Sequence, residues 1–268
     1  IECMGSTHLR RESKVMPRAP RAVIVLAVFL TSSNISQPAS ADSAPLSLYA
    51  SNVSKAAIEP LVPICANAAG TEVDVRYANN PQVAKDIAEG AAFDVAVIET
   101  HMLRDLAKKH FVARDSIRAL AVLRMGIATR EIGPSIRTDT IAEFRHALLG
   151  ARSIGYIGNG HSGQVFLKTV DRLRLREKLA DKLVPFDGAY AEAAEASETL
   201  QFVVAPFFNP LPSPLRLVGY FPKSLGGDVD VSVGASIKNK VSALKFITCL
   251  KSPEARTIFM SKGYRLAK

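Results

Sequence analysis

Two short polar turns early in the chain carry the residue types that bind small anions. The first is Ser51-Asn52 and the second is Asn79-Asn80, and each follows an apolar, strand-like run and precedes a stretch with helical periodicity. The start of a helix presents backbone N–H groups without intrahelical partners and the positive end of the helix dipole. Two such starts at one sheet edge therefore predict a receptor for a negatively charged solute.

A third turn, in the middle of the chain, adds four candidate residues. Gly160, His161, Ser162 and Gly163 lie between a predicted strand and a predicted helix that begins at Gln164. Their backbone amides and the Ser162 hydroxyl would complete an anion site, and His161 is either a donor to the ligand or a surface turn residue. For each turn residue alone, helix capping is the commoner role. Their joint position at the carboxyl ends of strands favours ligand binding.

The same turn also supports a different class of function. Residues 158–163 fit G-x-G-x-x-G, and Asp187 follows the next predicted strand, so the alternative is an exported oxidoreductase that binds a dinucleotide. No catalytic pairing of His with an acid, or of Lys with Tyr, accompanies this motif. A serine hydrolase is excluded because Gln164 stands where the nucleophile elbow requires glycine.

Strands and helices alternate along the chain, which predicts an α/β fold with helix-covered, mostly parallel sheets. The apolar run at 119–129 is long enough to cross between two lobes, and 230–235 is a candidate second crossing. The other predicted strands are 46–50, 73–77, 93–98, 153–157, 182–186, 200–205 and 216–221; the longer predicted helices are 56–69, 102–109, 140–149, 164–175, 189–196, 240–250 and 252–262.

Residues 1–41 have the form of a secretory signal peptide. Basic residues precede an apolar run at 22–30, and small residues precede the expected cleavage before Asp42. The run is shorter than the roughly 20 residues that cross a bilayer. We expect a freely diffusing, periplasmic mature chain, with Met4 or Met16 as the initiator.

The charge of the chain favours anionic solutes and argues against nucleic acid. The formal net charge is +9, and five basic and two acidic residues before Asp42 account for +3 of it, which leaves +6 for the mature part. These charges are spread along the sequence, without the basic and aromatic clusters of nucleic-acid surfaces. We therefore expect no nucleic-acid partner.

The cysteines and histidines predict neither a metal site nor a cofactor. Cys65 and Cys249 lie in predicted helices, and the expectation is two buried free thiols, with a disulfide as the open alternative in an oxidising compartment. His110, His146 and His161 lack metal-ligand partners three or four residues away, so no metal site is predicted.

Four segments, in this order, resemble the periplasmic molybdate-binding proteins of ABC importers. They are Leu48-Tyr49-Ala50-Ser51, Tyr77-Ala78-Asn79-Asn80, the run 85–96, and the run from Leu250-Lys251-Ser252-Pro253 to Tyr264. The resemblance covers nearly the whole mature chain. It implies a two-lobed type II periplasmic binding fold with two crossover strands. The expected lobes are 42–129 plus 230–268, and 130–229.

The resemblance also implies a function. We expect a non-enzymatic substrate-binding protein that closes its two lobes over a small anion, either a molybdate-like oxyanion or a small carboxylate. The ligand residues implied are those of the three turns, although Val53, Asn79 and Asn80 stand where the family has serines. The expected partner is an ABC permease in the inner membrane, and the protein is expected to act as a monomer.

Overall fold

The structure is a computed structural model that describes residues 44–130, 136–187, 193, 195–207, 210–211, 213–238 and 240–267. The predicted leader at 1–41 and most of the helix predicted at 189–196 lie outside these residues. Within the described part, no helix combines the length and the apolar character that crossing a membrane requires.

The described elements alternate as the sequence predicts. The strands are β1 (Leu46–Ser51), β2 (Val73–Ala78), β3 (Val95–Ile98), β4 (Arg118–Leu123), β5 (Met125–Thr129), β6 (Ile154–Ile157), β7 (Leu183–Phe186), β8 (Phe202–Pro206), β9 (Arg216–Tyr220), β10 (Val229–Ala235) and β11 (Arg265–Leu266). The α-helices are α1 (Lys55–Ala69), α2 (Asn80–Ala88), α3 (Thr100–Lys108), α4 (Ile141–Gly150), α5 (His161–Arg172), α6 (Arg176–Leu179), α7 (Val241–Leu250) and α8 (Pro253–Ser261).

The strands form two sheets, which confirms the two-lobed α/β class. The first sheet has the order β11-β4-β10-β3-β1-β2, and the second has the order β7-β6-β8-β5-β9. In each sheet three neighbouring strands are parallel, β2-β1-β3 and β7-β6-β8, and the other neighbouring pairs are antiparallel, so both sheets are mixed rather than mostly parallel. The carboxyl ends of the parallel strands therefore share one edge in each sheet, where open α/β sheets bind ligands.

The chain passes between the sheets twice, but not as predicted. The run at 119–129 is two strands, because β4 ends before Arg124 and β5 joins the other sheet. The second crossing is 221–228, between β9 and β10, and not 230–235, which stays in the first sheet. Gly226 and Gly227 lie on this segment with φ of 69° and 94°, values that favour glycine. The sequence could not place these crossings because an apolar run has the same pattern whichever sheet its strand joins. The boundaries of the two lobes stay a prediction.

A disulfide joins α1 to α7 and corrects the expectation of two free thiols. Cys65 and Cys249 are bonded, with their Cα atoms 5.4 Å apart. Cys65 is fully buried in a core that includes Leu61 of α1 and Phe246 of α7. The helices pack together although 184 positions separate the cysteines, a proximity that chain spacing does not reveal.

Candidate functional site

The predicted site residues meet where the strand ends of the two sheets approach each other. The Asn52 side-chain amide donates to Asn79 Oδ1 at 3.2 Å, and the Asn79 amide donates to Asn159 Oδ1 at 3.2 Å. These two hydrogen bonds link the turns after β1 and β2, in the first sheet, to the turn after β6, in the second. Asn159 lies inside the glycine-rich turn but was not among the predicted site residues.

The helix starts at this meeting point are not capped by the side chains that precede them. Among the described residues, the side chains of Ser51 and Asn79 make no capping hydrogen bond, and α5 is preceded by Gly160. Ser51 and Asn79 therefore do not serve as side-chain caps here. The first N–H groups of α2 and α5 keep the capacity to donate to a solute, except that Pro81 has none.

Helix α5 begins at His161, three residues earlier than predicted, because Gly163 allows it to pack closely on β6. A Cβ atom at Gly163 would lie 1.9 Å from the carbonyl oxygen of Ile157. Gly163 and Ser162 are therefore first-turn residues of a helix. Their backbone N–H groups belong to the unsatisfied set at its start, as the anion-site prediction requires.

Among the buried predicted residues, Ser51 and Asn80 make different contacts. Ser51 is 1% exposed, and its carbonyl oxygen accepts a hydrogen bond from the Ser54 hydroxyl at 2.7 Å. Asn80 is 5% exposed and donates from Nδ2 to Glu99 Oε1 at 2.8 Å. Asn80 Oδ1 is buried without a hydrogen-bond partner in the described part of the chain.

Glu99 is the central residue that sequence reasoning missed. It follows β3, is 3% exposed, and its Oε2 lies 3.3 Å from His161 Nε2 and 3.7 Å from His101 Nδ1. The pKa of Glu99 is raised to about 8, first by burial and then by the nearby Asp230 carboxylate, while the hydrogen bond from Asn80 acts to lower it. Burial also lowers the pKa of His161. Burial therefore disfavours the ionised form of the Glu99 carboxyl unless a cationic partner is present.

His161 has neighbours of the metal-ligand type in space, although it has none three or four residues away along the chain. They are Glu99, the residue before α3, and His101 in α3. The nearest sequence signal was Glu99-Thr100-His101, placed directly after the buried strand β3. Next to this group, Asp230 accepts a 2.7 Å hydrogen bond from the backbone N–H of Thr100, so the start of α3 already has an anionic partner.

Comparison with known proteins identifies the family. Residues 46–265 match the family described as bacterial extracellular solute-binding protein. The chain belongs to this family. No curated protein sequence matches this solute-binding protein.

Solved structures share the fold of this solute-binding protein at low sequence identity. The Azotobacter vinelandii periplasmic molybdate-binding protein is 17% identical, with a TM-score of 0.69 over 83% of this chain and 100% of that one. The sulfate-binding protein SubI from Mycobacterium tuberculosis H37Rv is 12% identical, with a TM-score of 0.67 over 84% and 87%. Iron-bound HitA from Pseudomonas aeruginosa is 14% identical, with a TM-score of 0.62 over 82% and 86%. At these identities the TM-scores show a common fold and no more.

Proposed function

We propose that this solute-binding protein captures a small anion, either an oxyanion or a small carboxylate, for an ABC importer. The anion docks where the turn after β6 meets the turns after β1 and β2, and the binding residues are Ser51, Asn52, Asn79, Asn80, Gly160, His161, Ser162 and Gly163. The protein works as a periplasmic monomer, it delivers its solute to a membrane permease, and it catalyses no reaction.

The observation that carries this proposal is the meeting of uncapped helix starts from both sheets. Helices α2 and α5 begin beside the linked side chains of Asn52, Asn79 and Asn159. First-turn N–H groups and the positive helix ends both favour a negative solute. The neighbours described as molybdate-binding and sulfate-binding support the same class of ligand.

Hinge closure is supported by the two chain crossings. Arg124, between β4 and β5, stacks its guanidinium 4.2 Å from the centre of the Tyr220 ring and donates to the carbonyl oxygen of Phe221 at 3.3 Å. The two crossings thus touch one another, and the second contains two consecutive glycines with positive φ. A few residues with adjustable φ and ψ suffice for a domain hinge.

The dinucleotide alternative is less well supported. The G-x-G-x-x-G turn does lie between β6 and α5, but its Asn159 contacts the opposite sheet at Asn79. The sheet that holds it also contains the antiparallel strands β5 and β9, unlike an open parallel dinucleotide-binding sheet. The solute-binding family assignment favours the anion receptor.

A thermal-shift panel tests the proposal. The protein is melted with molybdate, tungstate, sulfate, phosphate, a set of mono- to tricarboxylates, and NAD(P). A ligand at 100 times its Kd adds about 2.7 kcal/mol to the folded state. We expect at least one anion, and not NAD(P), to raise the melting temperature.

Matched variants locate the binding. Asn79→Ala should weaken that anion at least tenfold because it removes the amide between the two sheets, whereas Asn67→Ala, on the exposed side of α1, should bind like wild type. Wild-type affinity in Asn79→Ala, or a shift with NAD(P) alone, would contradict the proposal.

A further inference from the structure

We propose that Glu99, His101 and His161 form a binding site for a divalent transition-metal ion within the meeting point of the two sheets. This site goes beyond the proposed anion capture, and it uses two side chains, Glu99 and His101, that have no part in that proposal. Carboxylate oxygens and imidazole nitrogens are common ligands of Zn²⁺ and of other ions of similar softness.

The distances among the three side chains suit one ion. Two ligand atoms that each lie about 2.0 Å from a tetrahedral ion are about 3.3 Å apart. Glu99 Oε2 lies 3.3 Å from His161 Nε2 and 3.7 Å from His101 Nδ1, and one ligand atom from each residue lies within 4.8 Å of the others. The His101 side chain is 51% exposed, so it can move the small remaining distance.

The buried carboxylate is held in the orientation that a metal ligand needs. Asn80 Nδ2 donates a hydrogen bond to Glu99 Oε1 at 2.8 Å. The other carboxylate oxygen, Oε2, is the one that faces both imidazoles. Hydrogen bonds of this kind fix metal ligands in many proteins. Asn80 Oδ1, buried and unpartnered among the described residues, adds a further oxygen acceptor beside the carboxylate.

The charge balance also favours a cation. Glu99 is buried, and no lysine or arginine of the described residues forms an ion pair with it. A buried carboxylate without a cationic partner is costly, and a divalent ion would supply that partner. His101 and His161 lie in the first turns of α3 and α5, whose positive ends disfavour a cation; Asp230 offsets this effect at α3, and the Glu99 carboxylate supplies negative charge to the ion itself.

Three protein ligands leave at least one coordination position open on the ion. The neighbouring helix starts of α2 and α5 favour negative groups. An ion held by Glu99, His101 and His161 can therefore accept an oxygen of an anionic solute at that position, although its own binding does not depend on such a solute.

Calorimetric titration with Zn²⁺ alone tests the site. The protein is purified without a polyhistidine tag and freed of metal with a chelator that is then removed. We expect one Zn²⁺ per chain, with binding weakened at least tenfold in His101→Ala, in His161→Ala and in Glu99→Gln. His146→Ala, which removes an exposed histidine of α4, should bind like wild type.

The outcomes separate this site from the anion proposal. The inference is overturned if wild type binds no Zn²⁺ at a one-to-one ratio, if all three variants bind like wild type, or if His146→Ala loses as much affinity as they do. If His161→Ala or Glu99→Gln folds poorly, as judged by its melting curve, His101→Ala decides because its side chain is half exposed. Zn²⁺ binding without any anion binding would keep the metal site and refute the anion proposal alone.

Discussion

Breaking the bond between Cys65 and Cys249 should strongly destabilise the protein. The bond closes a loop of 184 positions, and the loop-entropy relation gives a stabilisation of about 5 kcal/mol for a loop of that length. The loop contains strands of both sheets and ends in α7, so the bond ties α7 directly to α1. For a chain of this size, about 5 kcal/mol corresponds to a fall in melting temperature of about 10 to 20 °C.

Urea unfolding provides the assay. Wild type is compared with and without dithiothreitol, and Cys65→Ala/Cys249→Ala serves as the control that the reductant should not affect. We expect the reduced wild type and the double variant to have similar free energies of unfolding, each several kcal/mol below the oxidised protein. Thiol titration of the unfolded chain should yield two more reactive thiols after reduction than before.

Two results would refute the reasoning. Equal thiol counts before and after reduction would mean that the bond does not form. A reduced protein that loses less than about 1 kcal/mol would mean that α1 and α7 are held together almost equally well in the unfolded ensemble, or that the loop model does not apply.

Further predictions concern the second sheet and its helices. Gly163→Ala should lower the free energy of unfolding in urea by at least about 2 kcal/mol, because the new Cβ would meet the backbone oxygen of Ile157. Gly150→Ala, which has open space around it, should raise that free energy by up to about 1 kcal/mol. Thr140→Ala should cost about 1 kcal/mol through loss of the capping box of α4. Hydrogen bonding, first from the backbone of Thr140, holds the pKa of Glu143 below its ordinary value of 4.5. The ionised Glu143 carboxylate therefore stabilises the fold above that pH, and this stabilisation is lost on acidification. Glu143→Ala should therefore lower the melting temperature at pH 7 more than at pH 3, and equal effects at both values would contradict this.

The sequence predicted the parts of the fold that depend on local pattern. Helix α1 ends at Gly70 with φ of 71°, and α8 begins after Ser252, whose side chain accepts from the backbone N–H of Ala255 at 3.1 Å. Glycine at a helix end and serine before Pro-Glu are local signals with a direct physical cause.

Features that depend on which elements pack together were not predictable in this way. The break at Arg124 and the disulfide between α1 and α7 are set by tertiary contacts between distant segments. The same holds for Glu99, His101 and His161, since a spacing rule within one helix cannot find ligands that come from two helices. The turn residues could be grouped from the sequence because the carboxyl ends of parallel strands meet at one sheet edge, and their role in binding stays a prediction.

The most direct test of the central claim is a crystal structure with the anion that raises the melting temperature most. The account predicts that its oxygens lie within about 3 Å of backbone N–H groups in the first turns of α2 and α5 and of the Asn79 side chain. An ordered anion bound at any other place, with the links from Asn79 to Asn52 and Asn159 unchanged, would contradict the account.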